Sequence, residues 1–298
     1  MKIVFSRKGF DQESGATASP IMPDGTPVSL PIPRNRGRAY SYDDLFFNDR
    51  SLSSIIRELK RGRFTIEDHA HADPDLDESR LPRKQGWRPV FGQTGNDQSH
   101  LEYEGVGVGD LFLFYGWFRH AETSAGGSLR YVRPRRDLHV IFGWLQVGEV
   151  LPISGRSAEG LPEWLREHPH VATPDAFDLN NTVYVAADRL TLEGNALPFP
   201  GGGTFSRFAP ALSLTWNDSP NRSLWALPRW FHPGPDKPPL SRHEAPWRWS
   251  LDDHRTILQS VPRGQEFVLD AQYYPEALDW VRALLDATHK PGGTAAPQ

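Results

Sequence analysis

The sequence predicts an α+β protein that is mostly β, with a barrel core around residues 105–216 and helices at its periphery. Three observations carry this expectation. The segments GDLFLFYGWF (109–118) and LHVIFGWLQVGEV (138–150) are dense in aromatic and aliphatic residues yet contain glycines that a helix disfavours. They read as buried strands, with Gly116, Gly143 and Gly148 at bends or bulges. The 27 prolines and 26 glycines imply many turns, which suits strands joined by loops better than a helical bundle. Apolar residues at helical spacing occur in short stretches near both ends of the chain. Because neither face of the two apolar runs can be left in water, they are expected to lie side by side in a closed or nearly closed barrel, with Trp117 and Trp144 mainly in its core.

Along the chain, Lys2 to Phe5 reads as an opening strand that ends in the polar turn SRKGFD. Pro23-Asp24-Gly25 is a turn, since proline presets one dihedral and glycine accepts a positive one. Residues 51–61 carry Leu52, Ile55, Ile56 and Leu59 on one helical face, with Asn48 or Asp49 available as a cap. GLPEWLREHPH is a short helix stopped by Pro169. TVYVAA (182–187), ALSLTW (211–216) and GQEFVLD (264–270) are strand candidates, and PGGGTF (200–205) is a flexible turn. In PEALDWVRALLDA, Pro275 suits a first helical turn, and Leu278, Val281 and Leu285 form a stripe. Residues 1–289 are expected to form a single domain, with 290–298 a disordered tail.

Composition narrows the function classes. There is no cysteine, which excludes disulfides, zinc ribbons and thiol nucleophiles. A net charge of −4 argues against a surface coated in positive charge for non-specific DNA binding, although a local patch remains compatible with it. No run reaches the roughly 18 apolar residues of a membrane span, and the N-terminus is charged too soon for a signal peptide, so a cytoplasmic protein is expected. Oligomeric state and cofactors are left open.

Five segments could carry chemistry. Ser6, Arg7, Lys8 and Asp11 stand at a strand end, where the cations could hold a phosphate, Ser6 could donate a hydrogen bond and Asp11 could act as a base; the alternative is a solvated turn. In EDHAHADPDL (67–76), His69, His71, Asp73 and Asp75 would project to one side of an extended segment. Two histidines and a carboxylate on one face could begin a zinc site or a non-haem iron triad, or simply mark a hydrogen-bonded turn, so metal use stays open. FGQTGNDQSHL (91–101) reads as a loop around Gly95 whose Gln93, Asn96, Gln98 and His100 could read a base edge or cap their own backbone. Trp230 and His232, in a proline-rich loop, could stack on a base, while Arg133, Arg135 and Arg136 could contact phosphates.

The strand pair with its "GD-apolar run" and "apolar run-GEV" resembles that of PUA-like barrels of the ASCH and EVE type, which cradle bases or modified nucleotides. The opening MKIVFSRKGFD, the DPDL of 73–76, the FGQTG of 91–95, the two apolar strands and the GQEFVLD near the end together resemble the nucleotide modification associated domain 3 family, over roughly residues 1–280. QESGATASP at 12–20 departs from the glycine-rich turn expected there. The resemblance implies a bacterial or phage protein linked to systems that make or handle modified DNA bases; it supplies no reaction and no catalytic residues. The leading expectation is a protein that binds a nucleotide or modified base. The alternative is an enzyme acting on a nucleotide or base, with Asp11, His71 and Asp73 catalytic and Ser6, Arg7, Lys8, Gln93, Gln98, His100, Trp230 and His232 lining the ligand site. Convergence of Asp11, His71, Asp73 and His232 in one cleft would favour the enzyme, and scatter would favour the binder.

Overall fold

The computed structural model describes residues 1–34, 40–61, 69–134, 136–156, 158–172, 180–217 and 219–288. Its main elements are β1 (Lys2–Arg7), α1 (Leu52–Leu59), β2 (Val90–Thr94), α2 (Gly95–Tyr103), β3 (Leu111–Thr123), β4 (Leu138–Pro152), α3 (Pro169–Ala172), β5 (Asn181–Ala186), β6 (Glu266–Asp270) and α4 (Glu276–Thr288). The principal sheet runs β6-β1-β3-β4-β5-β2, all neighbours antiparallel except β1 and β3. Ser19–Ile21, Leu129–Tyr131 and Gly202–Thr204 add short strands to β3 and β4.

The apolar runs of β3 and β4 lie next to each other as expected, and both are buried on two faces. Phe112 and Phe114 point to one side and meet Phe91 at centroid distances of 5.0 and 5.2 Å. Tyr115 points to the other side and meets the Trp225 ring edge-on at 5.1 Å. This two-sided cover explains why the sequence alternation is lost in these strands. Trp117 and Trp144 are buried. Bulges fall at Ile141/Gly143 and Val147/Glu149, the first beside Gly143 and the second at Gly148. Gly116 serves a close approach instead, because a Cβ there would stand 2.5 Å from the Lys8 carbonyl oxygen.

The sheet is mixed and its path is open, so the expected closed barrel is not formed and the PUA-like core is not confirmed. Its two terminal strands, β2 and β6, are tied by a side chain instead of a backbone ladder: Gln93 Nε2 donates to Glu266 Oε1 at 2.6 Å. α2 lies across the same gap. His100 Nε2 pairs with Ser241 Oγ at 2.9 Å, and that hydroxyl accepts from Val268 N on β6.

Several local expectations are corrected. α1 is capped by Ser51, whose hydroxyl accepts from Ser54 N, and not by Asn48 or Asp49. Residues 91–101 are no loop: they are most of β2 followed by α2, which starts at Gly95. Pro169 opens α3 instead of stopping a helix, in keeping with the missing N–H that a first turn does not need. Residues 211–216 form no paired strand; after a 3-10 turn at Pro210–Leu212 they make only the isolated bridges Val140↔Ser213 and Thr215↔Trp225. Part of PGGGTF is the strand Gly202–Thr204, held where Gly203 lets the backbone approach the Trp144 ring. The expected tail at 290–298 lies outside the described residues.

Candidate functional site

The His71–Asp73 segment does not stay extended. Only His69–Ala70 pairs as a strand. His71 N then donates to Ile32 O, and Asp73 N turns back onto His71 O at 2.7 Å. The four side chains expected on one face therefore part company. His69 is exposed. Asp75 is taken by Arg83, whose two nitrogens reach its carboxylate at 2.6 and 2.7 Å, and by Trp87 Nε1 at 3.1 Å. His71 and Asp73 turn inward and are buried.

There they meet two histidines that no sequence pattern singled out, His168 and His170. Pro169 directs the chain into α3 and leaves both rings facing β2 and β5. His170 lies flat on Gly92, where a Cβ would sit 2.3 Å from its ring, so only glycine admits it. Gly92 N donates to Asp73 Oδ1 at 2.7 Å. One donor atom from each of His71, Asp73 and His170 lies within 4.8 Å of the others. His168 Nε2 stands 3.3 Å from Asp73 Oδ1, yet its direction leaves it without a well-formed hydrogen bond.

Fixed neighbours assign the imidazole protons. Asn181 Nδ2 donates to the His170 carbonyl at 2.7 Å, so its Oδ1 must accept from His170 Nδ1 at 2.8 Å. His170 Nε2 is left as a bare lone pair, 3.8 Å from Asp73 Oδ2. His168 Nδ1 accepts from His170 N, so its Nε2 carries the proton that faces Asp73. Arg34 can only donate, so His71 Nδ1 accepts from it at 3.1 Å.

The electrostatics follow. Burial pushes the His170 imidazolium down to about 4 against the partial support of Asp73. Burial likewise drives His71 well below the ordinary histidine value. Burial alone would raise the Asp73 carboxyl, but the His168 contact and the fields of His170, His168 and His71 outweigh it and hold it well below the carboxylate range. At neutral pH the centre is a carboxylate facing the neutral imidazoles of His71 and His170. Such a set can move a proton or ligate a cation.

The other expected site residues sort into groups. Ser6, Lys8 and Gln93 converge on Glu266: all three reach its Oε1, at 3.1, 2.9 and 2.6 Å. Glu266 is fully buried, and its Oε2 has no partner among the described residues. Lys8 lies 4.6 Å above the Phe91 ring and its charge is felt by His170, so this network borders the histidine centre. Arg7 turns away and donates to Pro262 O. Asp11 is exposed and closes its own loop, accepting from Glu13 N and Ser14 N. Gln98 bonds Glu102 and Tyr184, and His100 bonds Ser241; these side chains hold α2 in place. Trp230 stacks on buried Phe231 at 4.1 Å, and His232 Nδ1 bonds Pro233 O, so both are engaged away from Asp73. Arg133 and Arg136 are exposed, and Arg135 lies outside the described residues.

Arg136 lines a groove of about 440 Å³ together with Met22, His120, Arg207 and Phe208. Among the described residues no ion pair engages Arg133, Arg136 or Arg207. A smaller hollow of about 30 Å³ reaches Asp73 past Ser29, Phe142 and Thr204. Two chain segments pass from one hollow to the other, tied together by Phe208 N donating to Gly25 O and Thr26 Oγ1 donating to Ser206 O.

A sequence model of nucleotide modification associated domain 3 matches residues 2–270. The chain belongs to that family. Membership associates the protein with nucleotide modification, and the histidine–aspartate centre lies wholly within the matched span. Among curated proteins and solved structures, none matches this chain. No helix among the described residues is long and apolar enough to cross a membrane.

Proposed function

We propose that this member of the family is a cytoplasmic enzyme of a DNA base-modification system, with His71, Asp73 and His170 at its working centre. The observation that carries this reading is the buried carboxylate set among imidazoles whose protons are fixed by Asn181, Arg34 and the backbone. A module that merely binds a base has no need of a buried carboxylate ringed by imidazoles, and perturbed ionisable groups of this kind gather at functional sites. Of the four residues whose convergence would mark an enzyme, only His71 and Asp73 meet, but His168 and His170 replace the missing pair. In this reading Asp73 and His170 act on the substrate. Lys8 and Glu266 fix the neighbouring charge, and Asp11 and His232 have no catalytic part.

The groove beside Arg136 and Arg207 is the proposed seat of the nucleic-acid strand. Among the described residues its guanidinium groups are free of protein carboxylates, and Phe208, set edge-on to His120 at 5.1 Å, offers a stacking face. Nucleoside mass spectrometry of DNA from cells making equal amounts of the wild-type protein or Asp73→Asn tests the enzyme reading. A nucleoside altered by the wild type and unaltered by the variant is expected. Identical profiles, both differing from cells without the protein, would return the protein to the class of binders.

A further inference from the structure

We propose that the centre binds one divalent first-row transition ion between Asp73 Oδ2 and His170 Nε2, with His71 as third ligand and Arg34 as the group the ion displaces. The inference rests on reading this centre as the working site and adds the ion that it uses.

The Asp73–His170 contact itself calls for a cation. Asn181 leaves Nε2 as a lone pair, and the carboxylate oxygen opposite is also a lone-pair donor. Two electron donors facing each other in a buried place require a positive charge between them. A proton would draw the pair to roughly 2.7–3.2 Å, but they stand 3.8 Å apart. A bridging water would need roughly 4.5 Å or more from two ordinary hydrogen bonds. An ion bonded at about 2.1 Å to a nitrogen and an oxygen holds them about 3.4 Å apart in a tetrahedral arrangement, so a closure of a few tenths of an ångström suffices.

The surrounding donors are arranged for the same purpose. His168 turns its N–H towards Asp73 Oδ1, and Gly92 N bonds the same oxygen. One carboxylate oxygen is thus held by the protein, and the other is presented to a ligand. Asn181 does for His170 what outer-shell amides and carbonyls do for metal-bound imidazoles: it fixes the tautomer and aims the free nitrogen. The hollow of about 30 Å³ lined by Asp73 is large enough to hold a water beside that carboxylate. Two imidazoles and one carboxylate with open positions select ions of the zinc or iron(II) type over magnesium or calcium.

His71 adds the third ligand and the regulation. Arg34 donates to its Nδ1. If His71 binds the ion through Nδ1, Arg34 occupies the lone pair the ion needs. If it binds through Nε2, Arg34 stabilises the tautomer that keeps Nε2 protonated. Both routes, and the positive charge of Arg34, oppose the ion, so removing Arg34 strengthens binding either way.

Equilibrium dialysis of the full chain against zinc(II) and cobalt(II), followed by metal analysis and cobalt absorption spectra, tests the proposal, with magnesium as control. About one zinc or cobalt per wild-type chain is expected, with no retained magnesium. His170→Ala and Asp73→Asn should lose this ion. Asn181→Ala should bind roughly 10–100-fold more weakly, and Arg34→Ala more tightly than the wild type. If His170→Ala does not fold, Asn181→Ala and Arg34→Ala still decide through their opposite shifts. Failure of the wild type to retain either ion overturns the proposal, as does binding unchanged in both Asn181→Ala and Arg34→Ala. Altered nucleosides without ion binding would leave the enzyme reading and remove the metal; ion binding without altered nucleosides would do the reverse.

Discussion

Asp73 Oδ1 faces two donors, Gly92 N and the His168 N–H, while its Oδ2 faces the bare His170 Nε2. Asparagine has the same shape, and its Nδ2 can donate to the bare His170 Nε2. Asp73→Asn is therefore expected to fold with a stability within about 1 kcal/mol of the wild type, or above it, while abolishing function, the usual trade at a site strained for use. Urea denaturation beside the nucleoside assay checks both halves. Glu266 has the opposite character. It is the counter-charge of the largely buried Lys8 and accepts from three side chains, so Glu266→Gln is expected to destabilise by about 3 kcal/mol, measured by the same unfolding curve. His71 and Asp73 were legible in the sequence through the His-x-His-x-Asp alternation. His170 was not, although the His-Pro-His of 168–170 repeats the His-Ala-His of 69–71 about a hundred residues later. What joins the two triplets is strand β2, and nothing local to either announces it.

Among the elements, β2 does most to assemble the site. Phe91 and Gln93 face the interior, while Gly92 faces α3 and bonds Asp73. Gly92→Ala would drive a methyl group into the His170 ring, and the expected cost is about 1–3 kcal/mol together with loss of the centre's activity. Retained activity and stability would show that His170 can move without consequence. Strands β3 and β4 were legible because their apolar runs are long and carry glycine, and both prove central. α2 was not, because it buries only Gln98 and Leu101 and so has no apolar stripe to read. α3 spans four residues, too few for any periodicity. The barrel expectation failed for a reason of the same kind. Sequence runs reveal that two strands are covered on both faces, but covering helices and loops can do this as well as closure, and here β2 and β6 are bridged by Gln93, Glu266 and α2.

On the scale of the whole molecule, β1 and β6 bring the first and last described strands into one sheet, with Lys2 opposite Asp270. A single cooperative unfolding transition is expected for residues 1–289. Its midpoint should depend on pH through the buried histidines. His71, His139, His170 and His243 all have imidazolium values pushed down by burial, to about 4 for His170 and His243. The unfolded chain protonates near 6.5, so the stability they confer is complete above that pH and is lost as the pH falls below it, down to about 4 for His170 and His243. Each contributes up to about 1.4 kcal/mol per pH unit in that window. Denaturant midpoints at pH 7.5, 6 and 5 that do not fall would contradict the assignment of neutral histidines. The basic groove acts on the same scale. In Arg133, Arg136 and Arg207→Ala together, the logarithmic salt dependence of DNA binding should flatten by about 0.9 for each phosphate that is no longer neutralised.

If the groove holds the nucleic acid and the buried centre changes it, the two roles separate in one experiment. Purified wild-type protein, Asp73→Asn and the triple arginine variant are incubated with DNA, and both DNA binding and nucleoside composition are measured. The wild type should bind and alter a nucleoside; Asp73→Asn should bind equally well and alter nothing; the arginine variant should do neither at physiological salt. An Asp73→Asn protein that alters DNA as fast as the wild type would contradict a working role for the buried carboxylate.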